Sequence, residues 1–387
     1  MTASTLNISL QNQTGSSTVY AYITGQALDN NNNVVLLQSD GRTLYFPTSP
    51  PSTGASLATD CAIALGPPGS TTPATIPRIA GGRIWFSINA KLTFLLNPGP
   101  SGSTSAALVE PSPLNPSDPN IDIEWDFCEF TFNEAQLFVN ITYVDFVSIP
   151  IALTLRNTAG KSQHITGTAA DGLDAVCAAL KEQASADNNP SWSSLIVSKP
   201  GGGNLRALSP NHAPDPSDFQ GYYQSYVDAV YSKYANTPLT IDTQASYGLV
   251  SGTVINGSLD FGTGGQFAKP STADIFSCST GPFQDTSGER AALVPRIAAA
   301  FNRSTLLIET TTPSANSTLY YQTLPTNHYA RIVHSVNLDG RGYAFPYDDV
   351  TPTGGQDQSG AVFDSSPQLL TVTVGGANAG NALSTQL

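Results

Sequence analysis

Two carboxylic acids in one apolar, β-rich stretch are the residues of this chain best suited to chemistry. Glu129 and Asp145 lie sixteen residues apart within residues 121–153. Charged residues make up only 12% of the whole chain, so the acidic side chains of this stretch are unusually dense. Two carboxyl groups held across a cleft can act as general acid and general base, the arrangement that cleaves glycosidic bonds.

Alternating side chains predict the strand that must position Glu129. Trp125 and Phe127 share an apolar face, but beyond Cys128 the even-numbered Phe130 becomes apolar and Glu129 polar. We therefore expect the strand to exchange its buried face near Cys128, through a bulge or a bend. Polar residues on the Phe127 face should then line a cleft that starts where the core stops.

A second strand, residues 139–151, carries Asp145 between apolar neighbours, and the turn between the strands is predicted at 133–136. A four-residue loop there places Asn140 opposite Glu129, so that Asp145 faces away. An odd loop length or a bulge is needed to bring both carboxyl groups to one groove. Composition and spacing alone leave open that Glu129 and Asp145 are ordinary exposed strand acids.

The bulk composition indicates a partner that is neutral and rich in hydroxyl groups. The 387 residues carry a net charge of −13, which would repel a polyanion, so a nucleic acid partner is not expected. The charged fraction is about half the usual value of roughly 25%. No apolar run approaches the roughly 18 residues needed to span a membrane, so no membrane partner is expected either.

Several features favour a secreted protein. The start, MTASTLNISL, lacks the features of a signal peptide, and Met1 is the only methionine, which suggests a mature N-terminus with an added start residue. Six Asn-X-Ser/Thr sequons also favour an extracellular glycoprotein, and they lie at Asn7, Asn12, Asn140, Asn256, Asn302 and Asn316. At least one disulfide is favoured over four buried thiols among the four cysteines, which are Cys61, Cys128, Cys177 and Cys278.

The order of predicted elements indicates a mainly β protein with a mixed α/β part. Helical periodicity appears at 171–182, 217–234 and 288–302, with Pro295 expected to kink the third helix. Strands are predicted on both sides, including a strand pair at 82–96 and strands at 305–312, 320–324, 328–336 and 368–376. We therefore predict a β-barrel or sandwich domain built from residues 1–156 and 320–387, and a mixed α/β domain at 157–319.

Other chemistries find little support in the sequence. The histidines, which are His164, His212, His328 and His334, show no metal-ligand spacing, so no metal site is expected. Glycine-rich segments at 201–205 and 262–267 lack the Lys-Ser/Thr of a phosphate loop, and no GxSxG motif occurs. Asp348 and Asp349 are expected to bind backbone amides. No cofactor is predicted.

The segment WDFCEFTFNEAQLFVNITYVDFVSIPIAL (125–153) resembles the active-site region of glycoside hydrolase family 64, β-1,3-glucanases with a thaumatin-like relationship. Residues 269–283 and 327–350 resemble further family segments. The resemblance implies a crescent in which a β-barrel domain and an α/β domain flank a wide groove that holds β-1,3-glucan or laminari-oligosaccharides.

The resemblance also implies roles for individual residues. Glu129 matches the general acid and Asp145 the general base of an inverting endo-hydrolysis, and the sugar-binding positions match Thr131, Asn133, Phe138 and Thr142. Phe138 stands where the family pattern carries tryptophan, which puts the product length in doubt. A monomer is expected. The alternative is a non-catalytic glucan-binding protein of thaumatin-like type; a purely structural or antifungal thaumatin-like protein would be richer in cysteine.

Overall fold

The computed structural model of the protein describes residues 2–102 and 104–376. Within these ranges the chain forms twenty-four β-strands and six α-helices. The predicted added start residue, Met1, lies outside the described residues, and so does the end of the predicted β domain, residues 377–387.

The strands occur along the whole chain. Those before residue 166 are β1 Thr5–Asn12, β2 Val19–Ala27, β3 Asn33–Leu37, β4 Leu44–Tyr45, β5 Ala55–Ser56, β6 Ile63–Ala64, β7 Thr71–Pro77, β8 Ile79–Ile88, β9 Leu95–Asn97, β10 Ala107–Val109, β11 Glu124–Phe132, β12 Leu137–Ile141, β13 Phe146–Val147, β14 Ile151–Asn157 and β15 Ser162–Ile165. The later ones are β16 Ile196–Ser198, β17 Asn204–Leu208, β18 Leu239–Asp242, β19 Leu249–Ile255, β20 Ser258–Asp260, β21 Gln266–Phe267, β22 Thr311–Thr312, β23 Ala361–Asp364 and β24 Pro367–Val374.

All the helices of the described residues lie between β15 and β23. They are α1 Gly172–Ala186, α2 Ser191–Ser194, α3 Gln224–Tyr234, α4 Thr272–Ser277, α5 Arg290–Asn302 and α6 His328–Val336. The predicted helices at 171–182, 217–234 and 288–302 are confirmed as α1, α3 and α5, although α3 begins seven residues later than predicted.

Two large open sheets contribute buried residues to one hydrophobic core. One has the strand order β15-β14-β24-β1-β7, and the other has the order β23-β12-β11-β8-β2-β3-β4 with β6 added to β2. β1 and β24 pair in parallel, so both ends of the chain contribute to one sheet. Alternate residues of β1 are buried, as expected of a strand with one face on a core. β14 of the first sheet contacts β12 and β23 of the second sheet.

The predicted mainly β fold with helices is therefore confirmed, whereas the predicted barrel is not found, because the described residues contain open sheets and no closed barrel. Three smaller sheets complete the mainly β structure, in the orders β10-β9-β5, β13-β17-β16 and β21-β20-β19-β18-β22. The predicted boundaries at residues 156 and 320, and the crescent shape, stay predictions.

Four predicted β elements are wrong. Of the predicted strand at 305–312, only Thr311–Thr312 is a strand, and the residues before it form turns. Residues 328–336 form α6, because Tyr329, Ile332 and Val333 follow helical spacing and the Asn327 side chain accepts a hydrogen bond from the backbone of Ala330. The β-branched Ile332 and Val333 suggested a strand. The predicted strand at 320–324 is a turn. Residues 82–96 do not form a strand pair, because β8 pairs with β2 and β11 while β9 pairs with β5 and β10.

The predicted disulfide is also wrong. All four cysteines are buried free thiols. Burial raises the pKa of Cys61 to about 11 and that of Cys177 to about 12, so these thiols stay neutral. A free cysteine in such a place behaves as a small apolar side chain.

Candidate active site

Glu129 lies on a regular ladder that runs across four strands of the larger sheet. On β11 it is opposite Arg83 of β8 and Asn140 of β12, and Arg83 is in turn opposite Thr24 of β2. Directly opposite residues share a face, so these four side chains form one polar row. The predicted pairing of Glu129 with Asn140 is confirmed, as is the four-residue turn, which is closed by the Asn133 N–H donating to the Gln136 carbonyl at 3.0 Å.

The side chains that pack over this face change along β11, although successive residues continue to alternate between the two faces of the strand. Phe127 packs on Trp85 with ring centroids 4.7 Å apart, and Trp125 packs edge-on against Phe146 at 4.8 Å. That aromatic cover ends before Glu129, whose side chain is 39% exposed. β11 pairs with β8 without a shift from Glu124 to Phe130, so no bulge lies at Cys128 itself, and the register shift of β11 falls between Phe130 and Phe132. The expected cleft on the Phe127 face is confirmed.

A cavity of about 430 Å³ opens over the polar row. Its lining residues are Gly81, Gly82, Arg83, Glu110, Glu129, Phe130, Thr131, Phe138 and Asn140. Thr131 and Phe138 are opposite each other in the ladder. Phe138 stacks on the exposed Phe363 with ring centroids 6.4 Å apart and planes inclined by 19°. The structure thus brings three predicted residues, Glu129, Thr131 and Phe138, to one cavity.

Arg83 joins two carboxyl groups inside this cavity. Its Nε and Nη2 lie 3.3 and 3.2 Å from Oε1 of Glu129, and its Nη1 contacts Oε2 of Glu110. The guanidinium also lies 4.8 Å from the centre of the Phe127 ring, a cation–π contact. Burial raises the pKa of Glu110, an effect that Arg83 opposes. Sequence reasoning missed both Arg83 and Glu110, because only the strand pairing and the fold of residues 107–110 bring them to Glu129.

Asp145 lies outside any ladder, in a bend between two sheets. β12 ends at Ile141, and β13, which begins at Phe146, pairs with β17 in a different sheet. The loop between β11 and β12 has four residues, and strand parity does not decide where Asp145 points, because Asp145 lies beyond the end of β12. That Asp145 and Glu129 reach one groove stays a prediction. Asp145 is 39% exposed and is not among the residues that line the Glu129 cavity.

His212 binds Asp145. Its Nε2 donates to Oδ1 of Asp145 at 2.9 Å, and the backbone N–H of Ser209 donates to the Asp145 carbonyl at the same distance. His212 ends a single 3-10 turn, Pro210–His212, that follows β17. Sequence reasoning missed this residue, since the two partners are 67 positions apart and share no local motif.

Comparisons with known proteins identify the family of this chain. The family model of glycoside hydrolase family 64, described as β-1,3-glucanase, matches residues 4–374. This chain belongs to that family. Its fold also matches a laminaripentaose-producing β-1,3-glucanase solved in complex with laminaritetraose, with a TM-score of 0.83, 30% identity and coverage of 96% of this chain and 98% of the other.

Other members of family 64 are more distant. The chain is 28% identical over 304 residues to the glucan endo-1,3-β-glucosidases of Cellulosimicrobium cellulans and Arthrobacter sp. (strain YCWD3). That match takes in 76% of this chain and 52% of each relative, so the chain spans about half the length of those relatives. A β-1,3-glucanase domain from Clostridium beijerinckii shares the fold, with a TM-score of 0.74 and 23% identity over 96% of this chain and 98% of the domain.

Two residues predicted from the family 64 pattern do not line the cavity. The Oδ1 of Asn133 accepts hydrogen bonds from the backbone of Ala135 and Gln136, which closes the turn after β11. Thr142 is 6% exposed and forms a parallel bridge with Tyr343. Their contacts with sugar stay predictions.

Asp126 connects the strand of Glu129 to the bend of Asp145. Its Oδ2 accepts from the backbone N–H groups of Ser148 and Ile149 at 2.9 and 3.0 Å, and its Oδ1 accepts from Phe127. Burial raises the pKa of Asp126 to about 8, against the lowering effect of these three donors. Asp126 therefore fixes the segment just after Asp145 relative to β11.

The remaining acidic and histidine clusters have structural contacts. Asp348 accepts from Arg303, from His334 and from the backbone of Ala344, which confirms the prediction that it binds a backbone amide. No group of three or more metal-ligating side chains within residues 2–102 and 104–376 could hold an ion. Each of the helices described above is too short or too polar to cross a membrane.

A larger cavity of about 830 Å³ lies in the second half of the chain, between the end of β20 and α5. Gly264, Gly281, Glu289 and Arg290 are among its lining residues, and none of the predicted site residues is. The Arg290 side chain there binds the carbonyls of Gln266 and Pro282. Size alone would favour this cavity, but the polar row, the aromatic floor and the family motif all lie at Glu129.

Proposed function

We propose that this protein is an inverting endo-β-1,3-glucanase in which Glu129 is the general acid and Asp145 the general base. The observation that carries the proposal is the open cavity over Glu129, which lies within the family 64 motif and is floored by Thr131, Asn140 and Phe138. A floor of hydroxyl, amide and aromatic groups suits a neutral polysaccharide, which offers hydroxyl groups and apolar sugar faces.

Glu129 has one oxygen available for proton transfer. Arg83 binds Oε1 through two nitrogens, which leaves Oε2 to carry the proton to the glycosidic oxygen as the bond to the anomeric carbon breaks. As Glu129 gives up that proton it becomes a carboxylate. The guanidinium of Arg83 then stabilises the developing negative charge.

Asp145 has the matching arrangement for a base. His212 binds Oδ1, so Oδ2 is available to take a proton from the attacking water. An inverting enzyme holds its two carboxyl groups about 6.5–9.5 Å apart, because the water must fit between Asp145 and the anomeric carbon. Attack from the face opposite the leaving oxygen would convert the β-linkage into an α-anomer.

We also assign Thr131, Asn133, Phe138 and Thr142 to sugar binding and propose that the protein acts outside the cell as a monomer. Phe138 offers a smaller ring than the tryptophan of the family pattern, so the sugar stacked there would be held less tightly. The six Asn-X-Ser/Thr sequons support an extracellular site of action. Gel filtration with light scattering measures the mass, and a dimer would refute the monomer.

Product stereochemistry tests the mechanism. Wild type, Glu129→Gln and Asp145→Asn are incubated with linear β-1,3-glucan while NMR follows the first reducing ends formed. We expect α-anomers from wild type and none above background from either variant. Initial β-anomers would overturn inversion, and binding to glucan without any turnover by wild type would favour a non-catalytic glucan-binding protein.

A further inference from the structure

Arg83 lies between two carboxyl groups and contacts both. Its Nη1 contacts Glu110, and its Nε and Nη2 contact Oε1 of Glu129 at 3.3 and 3.2 Å. The side chains of Arg83 and Glu110 are 30% and 29% exposed, against 39% for Glu129. Glu110 is thus the more enclosed partner, and Glu129 the one that opens toward bound glucan.

Further contacts hold Glu110 in place. The Thr24 hydroxyl donates to Oε1 of Glu110 at 3.4 Å, and the indole N–H of Trp85 donates to the Thr24 hydroxyl at 3.0 Å. Trp85 is fully buried. The chain of contacts therefore runs from the core to Glu110, then to Arg83, and ends at Glu129.

These three side chains carry one positive charge and two groups that can be negative. With both carboxyls ionised, the set would have a net negative charge in a partly enclosed cavity; with one proton it is neutral. Two close carboxyls do not ionise independently, because the first negative charge disfavours the second. The pKa of Glu110 follows this pattern, since burial raises it, Arg83 and Thr24 lower it, and Glu129 raises it further.

We propose that Glu110 is a positioning residue which, through Arg83, keeps one shared proton in the pair formed with Glu129. This inference rests on the proposed role of Glu129 as general acid. Bound glucan covers the more exposed Glu129 and disfavours its charge, while Glu110 keeps its contacts with Arg83 and Thr24. The shared proton then lies on Glu129, where the reaction needs it.

Few other groups around Glu129 can alter this balance. β8 contributes Arg83, residues 107–110 contribute Glu110, and β12 and β2 contribute the uncharged Asn140 and Thr24. On β11 itself the neighbouring titratable groups are Asp126 and Cys128, which point to the opposite face because they are an odd number of residues away.

The pH profile of kcat/KM for β-1,3-glucan tests the proposal. Glu110→Gln removes the second carboxyl and leaves Arg83 to Glu129 alone, so Glu129 would lose its proton at lower pH. We expect the alkaline limb to move down by about one pH unit, which is a tenfold loss above the limb and little loss below it. Glu110→Asp, which keeps the charge, should restore most of the limb.

Glu124→Gln is the matched control. Glu124 lies on the same strand, its side chain is 27% exposed, and its ion pair is with Lys199 rather than with the site. The alkaline limb of the kcat/KM profile of Glu124→Gln should stay at the wild-type position. If Glu110→Gln has the thermal midpoint of wild type and its alkaline limb is unchanged, the proposal of a shared proton is refuted. Full activity of Glu129→Gln would instead refute the general acid, so the two failures are distinguishable.

Discussion

The two proposed catalytic carboxyls are held in opposite ways. Glu129 lies within a regular ladder, where its neighbours Arg83 and Asn140 follow from strand pairing. Asp145 lies in a bend between sheets, and its partner His212 comes from a turn after β17. A residue in a ladder has its position fixed by many backbone hydrogen bonds, whereas one in a bend depends on a few specific contacts. The base should therefore be the more easily displaced of the two.

Removing each carboxyl should give the largest effects and should separate the roles. We expect Glu129→Gln and Asp145→Asn to lower kcat on glucan by about 10²–10⁴-fold each. A dinitrophenyl group departs without needing a proton. On a laminari-oligosaccharide that carries this leaving group, Glu129→Gln should therefore regain activity, whereas Asp145→Asn, which lacks the base, should not. Recovery of Asp145→Asn instead would exchange the two assignments.

Weakening the contacts of Asp126 with the segment after Asp145 should lower both stability and activity. Asp126→Asn places an amide N–H₂ where backbone N–H groups already point, so we expect the free energy of unfolding to fall by about 1–3 kcal/mol. Urea unfolding measures that loss, and kcat on glucan should fall with it because the segment after Asp145 shifts. Asp60→Asn, at an exposed ion pair with Lys91, is the control and should change little. Unaltered kcat in a destabilised Asp126→Asn would argue against coupling between this anchor and the base.

Removing the partner of the base should have a smaller effect confined to catalysis. His212→Ala leaves Asp145 free to rotate, and we expect kcat to fall about tenfold with KM nearly constant, since the hydrogen bond to a charged group is worth roughly 1.5–3 kcal/mol. His212→Gln retains a donor and should recover part of the rate. His164→Ala, at a histidine bound to Thr154, serves as control. A rise in KM with kcat intact would place His212 in sugar binding instead.

The smallest expected effect concerns the floor beside Glu129. Phe138→Trp enlarges the aromatic surface, and we expect KM for laminari-oligosaccharides to fall two- to tenfold, corresponding to about 0.5–1.5 kcal/mol. Oligosaccharide products, measured by chromatography, should shift in length. Equal KM values in Phe138→Trp and wild type would remove Phe138 from the sugar-binding residues.

The parts of the site that could be predicted are those governed by short-range rules. Period-two alternation and a four-residue turn were enough to place Asn140 opposite Glu129 and to predict a cleft on the Phe127 face. The same rule failed for Asp145, because it assumed that the strand continued beyond Ile141. It also failed for α6, where β-branched residues indicated a strand and an N-cap with helical spacing decided the outcome.

The sequence by itself determined the mainly β character, three helices, the face of Glu129 and, through its motif, the family. Only the tertiary structure decided that Arg83 and Glu110 share the cavity of Glu129 and that His212 binds Asp145. The reason is physical. Alternation and turn geometry act between residues close along the chain, whereas these contacts join positions 27 to 67 residues apart, which only the packing of whole sheets and loops brings together.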